Sequence, residues 1–205
     1  MELFLGIDTS CYTTSLAAFD GGGNIFYDGR RVLTVPMGGR GLAQNEAVFQ
    51  HIGNIPELLK ELAQTAGSFR LQGIAASTRP RPVPDSYMPV FRVSESFGKS
   101  IALMYGVQLV ETTHQEGHLA AGIWSADGPK EEEFLVVHVS GGTTELLKVS
   151  RSASHRSFHI QLMGGTSDLH AGQFVDRVGV NLGLPFPAGP HLEKLAREST
   201  EEVSI

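Results

Sequence analysis

The opening of the chain is written twice. Residues Leu3 to Ile7 form an apolar run that stops at the small polar stretch Asp8-Thr9-Ser10-Cys11-Tyr12-Thr13 and resumes as Thr14 to Phe19. Further on, the apolar run Phe134 to Val139 stops at Ser140-Gly141-Gly142-Thr143-Thr144 and resumes as Glu145 to Val149. Each passage reads as two strands joined by a turn of small residues. A third strand follows in both places, around Asn24 to Thr34 after the Gly21-Gly22-Gly23 turn and from about Phe158 to Leu162. A three-stranded unit that recurs in this way must build two similar sheets, each of which needs helices to cover it.

Those helices are present. After the first unit and a glycine-rich loop (Gly38 to Gly41), apolar residues at helical spacing predict a helix over about Glu46 to Ala66. Pro56 is expected to kink or restart it. A short strand, Gly73 to Thr78, leads into the loop Arg79 to Pro89, where four prolines exclude regular structure. Helix Ser94 to Tyr105, strand Gln108 to Glu111 and helix His114 to Trp124 follow. The acidic loop Asp127 to Glu133 divides the chain into lobes 1–128 and 129–205, the second with helices at Ala171 to Leu182 and Ala188 to Glu198. The first half therefore reads βββαβαβα, and the second βββαα. That order resembles the α/β fold of the actin-like, sugar-kinase and Hsp70-type ATPase class (ASKHA), with one complete lobe and the start of its twin expected.

In such a fold each half turns a glycine- and hydroxyl-rich hairpin toward a shared cleft. Successive N–H groups at such a turn form a concave nest for an anion, and glycine lets the backbone approach phosphate closely. Either turn alone reads better as an ordinary hairpin. Their equivalent places in a repeat favour the phosphate reading.

Composition narrows the class. With 205 residues, 41% of them hydrophobic, the chain can build a real core and is neither disordered nor fibrous. Its single cysteine, Cys11, allows no internal disulfide and suits a reducing, cytoplasmic setting. The first ten residues lack the basic lead of a signal peptide, and no apolar stretch approaches the ~20 residues that span a bilayer. A net charge of −6 argues against unaided nucleic-acid binding. The basic spots at Arg30/Arg31, Arg40 and Arg79/Arg81 read as solvated surface charge.

The sharpest local motif is Thr112-Thr113-His114-Gln115-Glu116-Gly117-His118. Thr113 and Glu116 have the spacing of a capping box, which starts a helix there. His114 and His118 then lie one turn apart on one face, a spacing that lets two imidazoles share a metal ion. The helix N-terminus disfavours imidazolium, as ligation requires. The pair reads equally as two solvent-facing or capping histidines, and a metal site needs a third ligand besides. A zinc-protease reading fails on its general base, because Gln115 stands where that mechanism needs a glutamate.

The segments LGIDTSCYTTS, ESFGKSIAL, HQEGHLAA, VSGGTTELL and AGQFVDRVGVNLGLPFPAGP together resemble the TsaD/Gcp family, once called glycoprotease or O-sialoglycoprotein endopeptidase. The resemblance covers nearly the whole chain. It implies the duplicated ATPase fold and transfer of a threonylcarbamoyl group from an adenylate to adenosine 37 of tRNA. It implies one divalent metal ion (iron or zinc) held by His114 and His118, and ATP or an acyl-adenylate as nucleotide. Ser140, Gly141 and Gly142 match the phosphate-side turn, with Thr143 next to them as a further nucleotide-binding candidate, while Asp168, Gly172, Asp176 and Gly189 match segments lining the nucleoside pocket. It also implies a TsaB-like partner or a homodimer, and tRNA reached through partner proteins. A further ~100 residues are expected for a full second lobe, with an aspartate as third metal ligand.

The chain departs from the family pattern beside the cleft. Tyr12 and Thr13 stand in place of an acidic pair, Thr143 in place of a histidine, and Gln173 in place of a glutamate. TRPRPVPDSYMP replaces a glycine-rich loop. These changes point to a divergent paralogue. The competing reading is a catalytically inert relative that binds other tRNA-modification proteins.

Overall fold

The computed structural model describes residues 1–10, 12–35, 42–152 and 157–200, so Cys11, Arg40 and the loop Gly38 to Gly41 lie outside the described residues. The chain divides into two compact units, Met1–Gly128 and Pro129–Ile205.

The first unit runs β1 (Glu2–Thr9), β2 (Thr13–Asp20), β3 (Ile25–Val32), α1 (Gln44–Ala66), β4 (Arg70–Arg79), α2 (Phe91–Tyr105), β5 (Gln108–Thr113) and α3 (His114–Ala126). This is the expected βββαβαβα order. The sheet order is β3-β2-β1-β4-β5, with the first three strands antiparallel and β1, β4 and β5 parallel. Alternation explains the core: β1 buries Leu3, Leu5 and Ile7, and β2 buries Leu16 and Ala18. The register pairs Ile7 with Leu16 and Leu5 with Ala18, which puts all five on one face. Ile55, Leu58 and Leu62 of α1 and Val93 and Ala102 of α2 cover that face. Each of the leucine, isoleucine and valine side chains among them contributes about 1.5–3 kcal/mol when fully buried.

Helix α1 runs unbroken through Pro56. Its buried stripe Ala47, His51, Ile55, Leu58, Leu62 has helical spacing and flanks the proline on both sides. The packing of Ile55 and Leu58 outweighs one missing backbone bond. Glu61 fastens the helix to β3, accepting from Tyr27 Oη at 2.9 Å and pairing with Arg31. Burial and the Glu61 carboxylate push the Tyr27 hydroxyl up to about 12. Helix α2 begins three residues earlier than its pattern suggests, because Val90 and Phe91 are buried against Leu33 and Ala47.

In the second unit β6 (Glu133–Val139), β7 (Thr144–Arg151) and β8 (Phe158–Gly165) form an antiparallel sheet in that order, followed by α4 (Ala171–Asn181) and α5 (Gly189–Glu198). This matches the expected βββαα. Both hairpin turns are shorter than the sequence suggests: β1 carries Asp8 and Thr9, and β7 already includes Thr144. Among the described residues no helix is long and apolar enough to cross a membrane.

Candidate functional site

In the first unit the parallel strands β1, β4 and β5 present their carboxyl ends side by side, the edge at which open α/β sheets bind ligands. Ile7 of β1 pairs with Ala76 of β4, so Asp8 and Ser77 follow as neighbours on the face opposite the helical core. At the end of β5 the capping box forms as expected: Thr113 Oγ1 accepts from the Glu116 N–H at 3.1 Å, and Glu116 Oε2 accepts from the Thr113 N–H at 2.9 Å. The cap fixes the first turn of α3 and with it His114. The Gln115 N–H donates to the Pro80 carbonyl at 3.0 Å, tying the proline loop to the same turn.

His114 and His118 converge. Their Nε2 atoms lie 3.0 Å apart, with ring centroids at 4.3 Å. His114 Nδ1 lies 2.9 Å from Asp8 Oδ2, and the Ser77 hydroxyl donates to that same oxygen. The Phe91 ring packs against the His114 imidazole at 5.7 Å. An Nδ1–H that donates to Asp8 leaves the lone pair of His114 on Nε2, facing His118. Two imidazole nitrogens on one tetrahedral zinc lie about 3.3 Å apart, given bonds of about 2.0–2.1 Å. The pair therefore fits two positions of a zinc or iron ion after a shift of a few tenths of an ångström, and imidazole suits either metal. Among the described residues no three His, Cys, Asp or Glu side chains gather for a metal. His114 and His118 are thus two nitrogen donors side by side, without a third such group beside them among the described residues.

In the sequence Asp8 stands in the first small polar turn, with no role of its own, and neither Ser77 nor His51 belongs to a motif. The available signal was Asp8 itself, a carboxylate directly after the apolar run Leu3 to Ile7. His51 is fully buried on α1 and holds the first hairpin. Its Nε2–H donates to the Ser10 carbonyl at 2.7 Å, which leaves Nδ1 to accept from the Thr14 hydroxyl at 2.7 Å. Asn54 Nδ2 donates to the same Thr14 oxygen at 3.0 Å. Burial depresses the His51 imidazole below its ordinary value.

In the second unit the Ser140 to Thr144 turn is docked on the first turn of α4. The Gly172 N–H donates to the Ser140 carbonyl at 3.2 Å, and the Ala171 N–H to Thr144 Oγ1 at 2.8 Å. Within the turn the Ser140 N–H is taken by the Thr143 carbonyl at 2.7 Å, and the Gly142 N–H reaches Ser140 Oγ at 3.2 Å. Part of the amide nest is thus committed locally, while Ser140, Gly141 and Gly142 remain exposed. Gly172 is required by close approach: a Cβ there would lie 2.6 Å from the Ser140 carbonyl carbon and oxygen. Gly172→Ala is expected to cost about 1–3 kcal/mol by overpacking. Faster hydrogen exchange in peptides spanning residues 140–149 checks this, and unchanged exchange would rule it out.

Asp168 is exposed in the loop between β8 and α4, and its N–H lies 3.4 Å from Thr166 Oγ1. Asp176 Oδ1 accepts from the Ala188 N–H at 2.8 Å, fastening the start of α5, where Gly189 is the first residue. The structure thus joins Ser140, Gly141 and Gly172 at one point and Asp176 and Gly189 at another.

The family model described as "TsaD: tRNA N6-adenosine threonylcarbamoyltransferase" matches residues 33–205. The protein named tRNA N6-adenosine threonylcarbamoyltransferase in Prochlorococcus marinus is 30% identical over 203 residues, covering 96% of this chain and 54% of the relative. Its namesake in Caulobacter vibrioides is 34% identical over 203 residues, covering 95% and 52%. The chain thus spans about half the length of the curated relatives it matches. Among solved structures, YeaZ from Pseudomonas aeruginosa superposes with a TM-score of 0.48 at 14% identity, over 83% of this chain and 68% of that one. Ethanolamine utilization protein EutJ from Carboxydothermus hydrogenoformans gives 0.49 at 16% identity, over 93% and 60%. The family model takes in the histidine pair, the Ser140 turn and the α4 and α5 segments together, and the chain belongs to the TsaD family of tRNA N6-adenosine threonylcarbamoyltransferases.

Proposed function

We propose that the chain supplies the metal-binding and phosphate-side elements of a threonylcarbamoyl transfer from an adenylate to the N6 amine of adenosine 37 in tRNA, in the cytoplasm and with a TsaB-like partner. The observation that carries this is the convergence of His114 and His118 Nε2 at 3.0 Å, beside the Asp8 carboxylate and at the ends of parallel strands. One divalent ion, iron or zinc, would be held by the two imidazoles, and it supplies Lewis acidity toward a carbonyl. In the reaction the amine nitrogen bonds to the carbamoyl carbonyl carbon, the bond from that carbon to the phosphate oxygen breaks, and the amine proton leaves to solvent with AMP as the other product. Ser140, Gly141, Gly142 and Thr143 would face the phosphate through backbone N–H groups. Asp168, Gly172, Asp176 and Gly189 would border the nucleoside, with Gly172 and Asp176 acting by positioning the turn and the start of α5.

A second reading, a non-catalytic relative that binds partner proteins, is favoured by Thr143, a side chain that does not titrate in the turn. One experiment separates the two. The chain, a TsaB-like partner, the threonylcarbamoyl-adenylate and tRNA are incubated together, and digested tRNA is analysed by mass spectrometry. Modified adenosine supports transfer; unmodified tRNA with the partner still captured establishes the second reading.

A further inference from the structure

We propose that Asp8, held by Ser77, is a positioning residue that fixes the tautomer and direction of His114 and thereby sets the affinity of the histidine pair for a divalent cation. The inference rests on the metal reading of His114 and His118.

The observations come from different elements of the fold. Asp8 is the last residue but one of β1 and Ser77 lies near the end of β4, and the parallel register brings them together. Ser77 is 4% exposed, so its hydroxyl needs a partner, and it donates to Asp8 Oδ2. That bond directs the carboxylate oxygen toward α3, where it meets His114 Nδ1 at 2.9 Å. The Thr113 cap fixes the backbone of His114, and the Phe91 ring limits rotation of the imidazole. The Asp8 contact holds the ring at Nδ1, which leaves Nε2 toward His118.

The physical consequence concerns one proton. A neutral imidazole carries its N–H on either nitrogen, and only the Nδ1–H form leaves Nε2 free to bind a cation. A carboxylate has no proton to give and so selects Nδ1–H. An asparagine side chain can present its N–H2 to the ring instead, which makes Nδ1 the acceptor and moves the proton to Nε2, where it blocks the ligand position. Carboxylates behind metal-ligating histidines act in this way, and their loss weakens binding about 10–100-fold.

The test uses the full chain and a metal ion alone, with no nucleotide or tRNA. Zinc and cobalt(II) are titrated into wild type, Asp8→Asn, Asp8→Glu, Ser77→Ala and His114→Ala, with folding checked by circular dichroism. Asp8→Asn is expected to lower affinity about 10–100-fold without altering the cobalt absorption bands, because the ligands themselves are unchanged. Asp8→Glu is expected to recover part of the loss, and Ser77→Ala to lose less than Asp8→Asn. Nitrogen-15 spectra of the metal-free chain give a second readout: His114 is expected as the Nδ1–H tautomer in wild type and as Nε2–H in Asp8→Asn. The proposal is overturned by an Nε2–H wild type, by equal affinities of wild type and Asp8→Asn, or by cobalt bands that show Asp8 to be a direct ligand. If His114→Ala binds metal as wild type does, the metal reading fails as well, and the tautomer readout still judges the Asp8 to His114 orientation separately.

Discussion

His114→Ala is expected to abolish retention of a divalent ion, lowering affinity by about 100-fold or more, beyond the effect of losing an outer-shell carboxylate. The substitution removes the Nε2 donor that lies 3.0 Å from His118 and leaves a single imidazole on an exposed helix face. It also strips Asp8 of its partner at 2.9 Å. His118→Ala keeps the contact between Asp8 and His114 and still leaves one donor, so it is expected to show nearly the same loss. The double variant should then bind no more weakly than either single one, because both residues act on one ion. Metal content after dialysis, together with cobalt(II) titration, measures all three. Equal metal in wild type and variant would show that the pair is a surface contact between two imidazoles. Stability is a separate readout: His114 is about one-third exposed, and its loss should change the unfolding free energy by about 1 kcal/mol or less.

The elements were legible because their periods are strong. The alternation of Leu3, Leu5 and Ile7 and the helical spacing of Ile55, Leu58 and Leu62 specify a strand and a helix whatever they pack against. Element ends were less legible because they depend on tertiary partners. Helix α2 starts at Phe91 because burial of Val90 and Phe91 draws the chain into the core, and Ser94 has no local signal to prevent it. Pro56 signals a break, yet the helix continues because its neighbours Ile55 and Leu58 are buried.

The site divides along the same line. The capping box and the histidine pair lie within seven consecutive residues, and local spacing brings them together. Asp8 and His114 are 106 residues apart, and Ser10 and His51 are 41 apart. Only sheet register and helix packing join such groups, and a single sequence carries no signal of either. Asp176 shows the converse: the motif that contains it is visible, but its bond to the Ala188 N–H appears only in the fold.

His51→Ala is expected to destabilise the first unit by about 3–5 kcal/mol and to remove an acid sensitivity that wild type shows. The magnitude combines two effects. The side chain is fully buried, so truncation leaves a cavity. It also leaves the Ser10 carbonyl and the Thr14 hydroxyl without the imidazole that joined them, at about 1–3 kcal/mol for each buried group left unpaired. The pH dependence follows from the direction of the shift. Burial is the largest influence and lowers the imidazole below its ordinary value of 6.5, against smaller opposing effects of the Ser10 carbonyl and the Asp8 charge. The unfolded chain therefore binds more protons than the folded one below that value, and stability rises with pH there. Full stability is present above about 6.5 and is lost as pH falls toward the depressed folded value. A proton arriving on Nδ1 meets the Thr14 oxygen, which already accepts from Asn54, so the bond circuit has to be rearranged as the charge is buried. Denaturant titrations of wild type from pH 8 to pH 5, as a range about the reference value, should show this decline. In His51→Gln, which fills much of the space but does not titrate, the part of the decline due to this residue should vanish. Superimposable pH profiles for the two proteins would show that His51 does not couple protonation to the first hairpin.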